Sequence, residues 1–396
     1  MLTSKFSSSS NIYTFILLFL LLNIISLCSS IVLPTTLILP VTKDSSTLQY
    51  ITVIGQRTPL IPVNFTVHLG SASLLVDCES GYNSSTYKPV LCESKQCSFA
   101  KAEFNACGSI CLSKPRPGCN NNTCHTFDGN PIIDTYTGAE LAEDVLAIGS
   151  KPVVLVSQPK FIFTCIRSFI MTHLAKGVTG IAGFGHNSTI SIPNQLASLD
   201  SKFTNKFGIC LSSSTRSSGV IFIGSTPYYV YNPMIDISKN LVYTPLVKNT
   251  FTTSKFSEYH VKVSSIRIAG KNVPLNKTLL SIKQGLGGTR ISTTTAFTIL
   301  HTTIYDAVKT AFINALPKNV TIVEPPTKQF GLCFSMIGQN SETSGTALSA
   351  GHDKPEYIKT RCHSVLVEKS KNKTDIDLWH RRLGHAPLNT LKKLKI

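Results

Sequence analysis

Short runs of alternating apolar and polar residues, broken by Gly, Pro, Asn and Ser, make up most of this chain. Residues 47–54 have the β-rich alternation of a half-buried strand. Residues 219–225 and 241–246 read as strands too, and 258–268 as a longer one with a bulge at Ser264 and Ser265. One stretch has helical spacing: Ile304, Ala307, Val308, Ala311, Phe312, Ala315 and Leu316, ended by Pro317. Many short strands and one late helix predict an all-β protein.

The pattern also repeats. Val67-His68-Leu69-Gly70-Ser71-Ala72-Ser73-Leu74-Leu75-Val76 leads from an apolar strand through a small polar turn into an apolar run. Ile291-Ser292-Thr293-Thr294-Thr295-Ala296-Phe297-Thr298-Ile299-Leu300 echoes it about half a chain later, which predicts two related lobes. Between them, residues 177–185 are rich in glycine, suited to tight strand ends and close backbone approach. A phosphate loop is the rival for this run, but no Lys-Ser/Thr pair follows it.

Composition narrows the class. Lys5, a polar run, the apolar stretch 16–22 and the small residues Cys28, Ser29 and Ser30 form a secretion signal cleaved near Ser30. The apolar stretch is shorter than the ~20 residues of a spanning helix, so no membrane anchor is expected after cleavage. Of the twelve cysteines, Cys78, Cys92, Cys97, Cys107, Cys111, Cys119, Cys124 and Cys165 crowd into one loop-rich region. Zinc is the rival to disulfides there; only His125 lies among them, and the leader favours an oxidising compartment. Sequons at Asn64, Asn83, Asn121, Asn187, Asn276, Asn319 and Asn372 point the same way. The formal net charge of +17 admits nucleic acid, an anionic wall polymer or an acidic protein as partner. Nucleic acid is not expected for the main body, because its charges form no stripe.

From about Pro34 to Ser335 the chain resembles the plant-type, pepsin-like aspartic proteases. The motifs that carry this are residues 75–79, 84–90, 115–124, 142–145, 161–165 and the Gly-rich run followed by Pro193-Asn194-Gln195-Leu196. They resemble one branch: extracellular dermal glycoproteins, xyloglucan-endoglucanase inhibitors, basic 7S globulins and, more distantly, xylanase inhibitors. The resemblance implies a bilobal pepsin-like fold with a truncated C-terminal lobe: a signal peptide at 1–30, an N-terminal lobe at 31–213 and a C-terminal lobe at 214–335. Active members begin each echo with Asp-Thr/Ser-Gly. Here His68 and Ser292 hold the aspartate positions, and Thr294 replaces the second turn glycine, where the loop is expected to need φ > 0. Proteolysis of this type needs two carboxylates sharing a proton, so no catalytic residue, cofactor or metal is expected. Both side chains are instead expected to make structural hydrogen bonds between the lobes. A Ser–His hydrolase pair is the alternative, but no acid is placed by the sequence to orient His68.

The resemblance further implies a secreted, apoplastic protein whose partner is a glycoside hydrolase, with Lys318 entering an acidic cleft. A peptide-binding or storage role, or a chimeric product without function, remain alternatives. Cys210 and Cys333 match cysteines that pair with a missing C-terminal part, which leaves them, with Cys362, as orphan thiols. Residues 336–396 are unlike the lobe. Their end resembles the pre-integrase segment of copia-type retrotransposons, with His380 and His385 as a vestigial pair lacking the Cys-X2-Cys that would complete a zinc site.

Overall fold

A computed structural model of the chain describes residues 36–100, 107–108, 114–149, 156–230, 235–241, 243–247, 258–268, 270–283, 286–296, 298–316, 321–324, 332–335 and 360–362. A twelve-stranded sheet dominates. Its main strands are β1 (Thr36–Lys43), β2 (Tyr50–Gln56), β3 (Ile61–His68), β4 (Leu75–Asp77), β5 (Thr123–Asn130), β6 (Thr135–Ile148), β7 (Val156–Ile166), β8 (Val178–Gly183), β9 (Phe207–Cys210) and β10 (Gly219–Gly224). They run in the order β9-β10-β1-β2-β3-β8-β4-β7-β6-β5. Most neighbours are antiparallel, but β8 runs parallel to β3, and β4 runs parallel to β7. The first polar turn, residues 69–74, therefore sits between two strands that are both clasped by β8.

The strand expected at 47–54 begins later. Asp44 Oδ2 accepts hydrogen bonds from the backbone N–H groups of Ser46 and Thr47, which holds those residues in a turn. Alternation then governs the buried face: Val63, Phe65 and Val67 of β3 enter the core with Leu37, Leu39, Ile54, Phe161 and Phe163. Each large side chain buried this completely contributes roughly 1.5–3 kcal/mol. The Gly-rich run works by close approach: a Cβ on Gly180 would lie 2.3 Å from the Leu75 carbonyl oxygen, and one on Gly183 2.1 Å from that of Ser73.

The loop-rich region is held by bonds and by buried acids. Disulfides join Cys78 to Cys165, Cys92 to Cys107 and Cys97 to Cys124, and Cys119 is disulfide-bonded as well. Glu140 on β6 accepts from Tyr87 Oη at 2.8 Å, from the backbone N–H and the side-chain amide of Asn120, and from Thr123 Oγ1. Asp144 accepts from Tyr82 Oη at 2.7 Å. A buried charge is tolerable when this many donors face it.

A second core gathers Val261, Val263, Ile266, Ile268, Val273, Leu280, Ile304, Val308 and Phe312. The last three come from a helix, Thr302–Ala315, at the position its apolar spacing predicts; His301 caps it by accepting from the Thr303 N–H. Three expectations change here. Residues 258–268 do not form one bulged strand: β11 (Tyr259–Val261) pairs with β12 (Thr289–Ile291), while Arg267–Ile268 pairs with Lys271–Asn272 in a separate hairpin. The described residues of 241–246 carry no strand, only a bridge from Leu246 to Val261. Strand β10, read above with the second lobe, is hydrogen-bonded into the large sheet between β1 and β9. Pairing between segments distant in sequence, β11 with β12 and β10 with β1, overrides the local reading.

Candidate functional site

The two echoed turns meet. Thr293 Oγ1 donates to the Val67 carbonyl at 2.7 Å, a buried bond that ties the second turn to the end of β3. Ile291 packs against both cores from the same strand. Tyr259 Oη adds a second tie, donating to the Phe184 carbonyl at 2.9 Å.

His68, the last residue of β3, is only 8% exposed, and its Nδ1 has no hydrogen-bond partner. Burial, with a smaller contribution from the Arg290 charge, lowers its pKa to about 4, so the imidazole is neutral near pH 7. Ser292 lies on the surface of the opposing turn. Its Oγ is 3.3 Å from Thr294 Oγ1 and 3.1 Å from Thr295 Oγ1, and it accepts from the Thr294 N–H. The expected inter-lobe hydrogen bonds of His68 and Ser292 are therefore not made. One side chain is unpartnered and the other bonds within its own turn; Thr293 carries the link between them. No hydrogen bond of the described residues joins His68 to Ser292, so the Ser–His hydrolase pair is not assembled either.

The main site residue that the sequence did not signal is Glu258. It lies one residue beyond the ladder that pairs Tyr259 with Ile291 and His260 with Arg290, which places it opposite Ser292. Its side chain is 14% exposed. Arg290 Nη1 donates to its Oε1 at 2.6 Å, and His260 Nε2 is 4.0 Å from its Oε2. His186 Nε2 is 3.0 Å from its backbone carbonyl. A Cβ on Gly70 would lie 2.7 Å from Glu258 Cγ and 3.3 Å from His68 Cε1. Gly70 is thus needed because Glu258 and His68 crowd it; its φ is not positive, and neither is that of Thr294. The expected requirement for φ > 0 in the second turn does not hold. Across the site, the β5–β6 hairpin brings Tyr136, whose phenol is pushed up to about 12, first by burial and then by Asp134, Asp128 and Glu258. Asp128 on the same hairpin is buried, accepts from Ser73 Oγ at 3.0 Å, and has its pKa raised to about 6 by burial.

Chemically, this floor offers one carboxylate already neutralised by a guanidinium, beside a neutral imidazole. Among the described residues it holds no pair of carboxylates sharing a proton and no cluster fit to hold a metal. Lys318, Asn319, Asn372, Cys111, His380 and His385 lie outside the described residues. Cys210 is free and exposed on β9, and the backbone places Cys333 opposite Cys362 in a short antiparallel pair.

A large sheet with two parallel pairs around one polar turn, and a second core whose own turn docks on it, define an all-β, bilobal, pepsin-like protein. The particular branch follows from comparison with known proteins. A family model described as xylanase inhibitor N-terminal matches residues 50–225, and one described as xylanase inhibitor C-terminal matches residues 258–350. The chain is 46% identical to "Probable aspartic proteinase GIP2" of Nicotiana benthamiana, over 80% of this chain and 73% of that one. It is 40% identical to "Gamma conglutin 1" of Prunus dulcis, over 82% of this chain and 75% of that one. The solved structure "Crystal structure of edgp" superposes with a TM-score of 0.75 at 42% identity, covering 84% of this chain and 86% of that one. The chain belongs to the xylanase-inhibitor family, the plant inhibitor-type branch of the pepsin-like aspartic proteases.

Proposed function

We propose that this chain is a secreted, non-catalytic relative of the pepsin-like proteases that acts by binding, with cell-wall glycoside hydrolases as its partners. One observation carries the reading. At the two positions where active members hold aspartates stand His68, buried and neutral, and Ser292, bonded within its own turn. Neither is a carboxylate that could share a proton with another, and the carboxylate that does approach His68, Glu258, is held by Arg290. Secretion is supported by the leader and the disulfide-bonded loops, and Asn64, Asn83, Asn121, Asn187 and Asn276 are all exposed for glycosylation.

Glycoside hydrolases carry paired carboxylates in their clefts, which a basic protein attracts. Lys318, which follows the helix in sequence, remains the candidate cation. The purified chain should show no pepstatin-sensitive peptide cleavage at acid pH and should bind a fungal endoglucanase or xylanase. Cleavage would refute the first half of the reading, and no binding to either hydrolase the second. The similarity to a gamma conglutin keeps a storage or peptide-binding role as the second reading; peptide binding with no hydrolase binding would favour it. For residues 336–396, a transcript spanning the stretch from Ser335 to His380 decides whether the transposon-like tail is part of the product.

A further inference from the structure

The cleft floor also carries a feature that hydrolase binding does not use. Arg290 is bonded to Glu258 by one N–H at 2.6 Å, yet its side chain is 56% exposed. A guanidinium has five N–H donors in a planar fork. The inner edge is fixed by a carboxylate that is itself 14% exposed, so the outer edge faces solvent in a set orientation. Close by, the hydroxyls of Thr294 and Thr295 lie 3.3 and 3.1 Å from that of Ser292. Tyr136, on the β5–β6 hairpin, is near enough that the charges of Glu258 and Arg290 act on its phenol. Beneath them His68, more than nine-tenths buried, keeps an Nδ1 without a partner.

We propose that this slot binds the carboxylate and ring hydroxyls of a uronic-acid oligosaccharide, with Arg290 as its anchor and Glu258 as an internal competitor for the same guanidinium. The chemistry of the lining selects the ligand class. A carboxylate is recognised by the planar fork, and adjacent sugar hydroxyls exchange hydrogen bonds with Ser and Thr hydroxyls. A tyrosine ring offers an apolar face with a polar tip. An acidic peptide also carries carboxylates that an arginine binds, but it offers no ring hydroxyls to meet Ser292, Thr294 and Thr295. A net charge of +17, with Lys262, Lys271 and Lys277 exposed on the second half of the chain, draws a repeating anion towards the slot.

The test is calorimetric titration of the full chain with a trimer of galacturonate at fixed ionic strength. The controls are the methyl-esterified trimer, an acidic tripeptide of the same charge, and melting curves for every variant. The wild type is expected to bind the trimer and neither control. Arg290→Gln removes charge-assisted bonds and is expected to weaken binding about tenfold or more. Lys277→Gln makes the same change of charge away from the slot and is expected to cost under about twofold. Arg290→Lys keeps the charge without the fork, and should fall between wild type and Arg290→Gln. Glu258→Gln releases Arg290 from its internal partner and is expected to tighten binding about tenfold. Equal losses in Arg290→Gln and Lys277→Gln would show only general attraction to a basic surface and overturn the proposal. So would binding of the ester or the tripeptide as tight as that of the trimer, no binding at all, or weaker binding by a folded Glu258→Gln.

Discussion

At position 68 burial outweighs the ordinary basicity of imidazole, and at position 128 it outweighs the ordinary acidity of a carboxyl. The two have opposite consequences for stability. His68 takes up a proton near pH 6.5 when unfolded but at about 4 when folded. Its contribution is therefore present above pH 6.5 and is lost as pH falls to about 4, by roughly 3 kcal/mol in all. Asp128 titrates at about 6 when folded against 3.8 unfolded, so its contribution is present below pH 3.8 and is lost as pH rises through 6. The slopes oppose each other between pH 4 and 6. Asp128→Asn should leave a protein whose urea midpoint drops as pH falls from 6.5 to 4, and His68→Asn one whose midpoint rises over that range. Parallel profiles in the two variants would show that neither group titrates as described. Gly70 gives a second prediction at this scale. A methyl there meets Glu258 Cγ at 2.7 Å, so Gly70→Ala should cost about 1–3 kcal/mol, and Glu258→Ala in the same chain should recover most of it.

Among the elements, the strands around the first turn depend on covalent and close-packed ties rather than on propensity. The Cys78–Cys165 disulfide spans 87 residues and joins the ends of the parallel neighbours β4 and β7. In the chain-entropy account, removing it from an otherwise intact fold costs about 4–5 kcal/mol. Replacing both cysteines by alanine should lower the thermal midpoint of the large sheet by several degrees more than Thr293→Val, which deletes a single hydroxyl bond worth about 1 kcal/mol. Differential scanning calorimetry measures both; equal shifts would show that the bond between the turns matters as much as the disulfide.

For the whole molecule, stability is divided unevenly. Twelve strands share one sheet around the larger core, whereas the strands of the second core that are described pair in twos and threes. Limited proteolysis should therefore cut beyond residue 225 before it cuts the large sheet. Cys210, free and exposed on the edge strand β9, should label with maleimide in the unreduced native protein. Labelling confined to other cysteines, or first cuts within β1–β8, would contradict this division.

Some of this was legible in the order of residues alone, because the signals were local. Alternation placed most of β2, helical spacing placed residues 302–315, and the repeated turn pattern announced two related halves whose turns do meet. Family motifs carried the fold and the branch, since residues such as Thr86, Asn120 and Asp144 hold loops through bonds that need those residue types. The floor of the cleft was not legible. Glu258 gave no signal in its own neighbourhood; it becomes part of the site only because β11 pairs with β12 and the second turn docks on β3. Pairing also split the strand expected at 258–268, and pairing with β1 and β9 drew β10 into the large sheet. A sequence determines which residues favour a strand or a turn. Which carboxylate ends up against which imidazole depends on register and docking between segments far apart in the chain, and those exist only once the tertiary structure has formed.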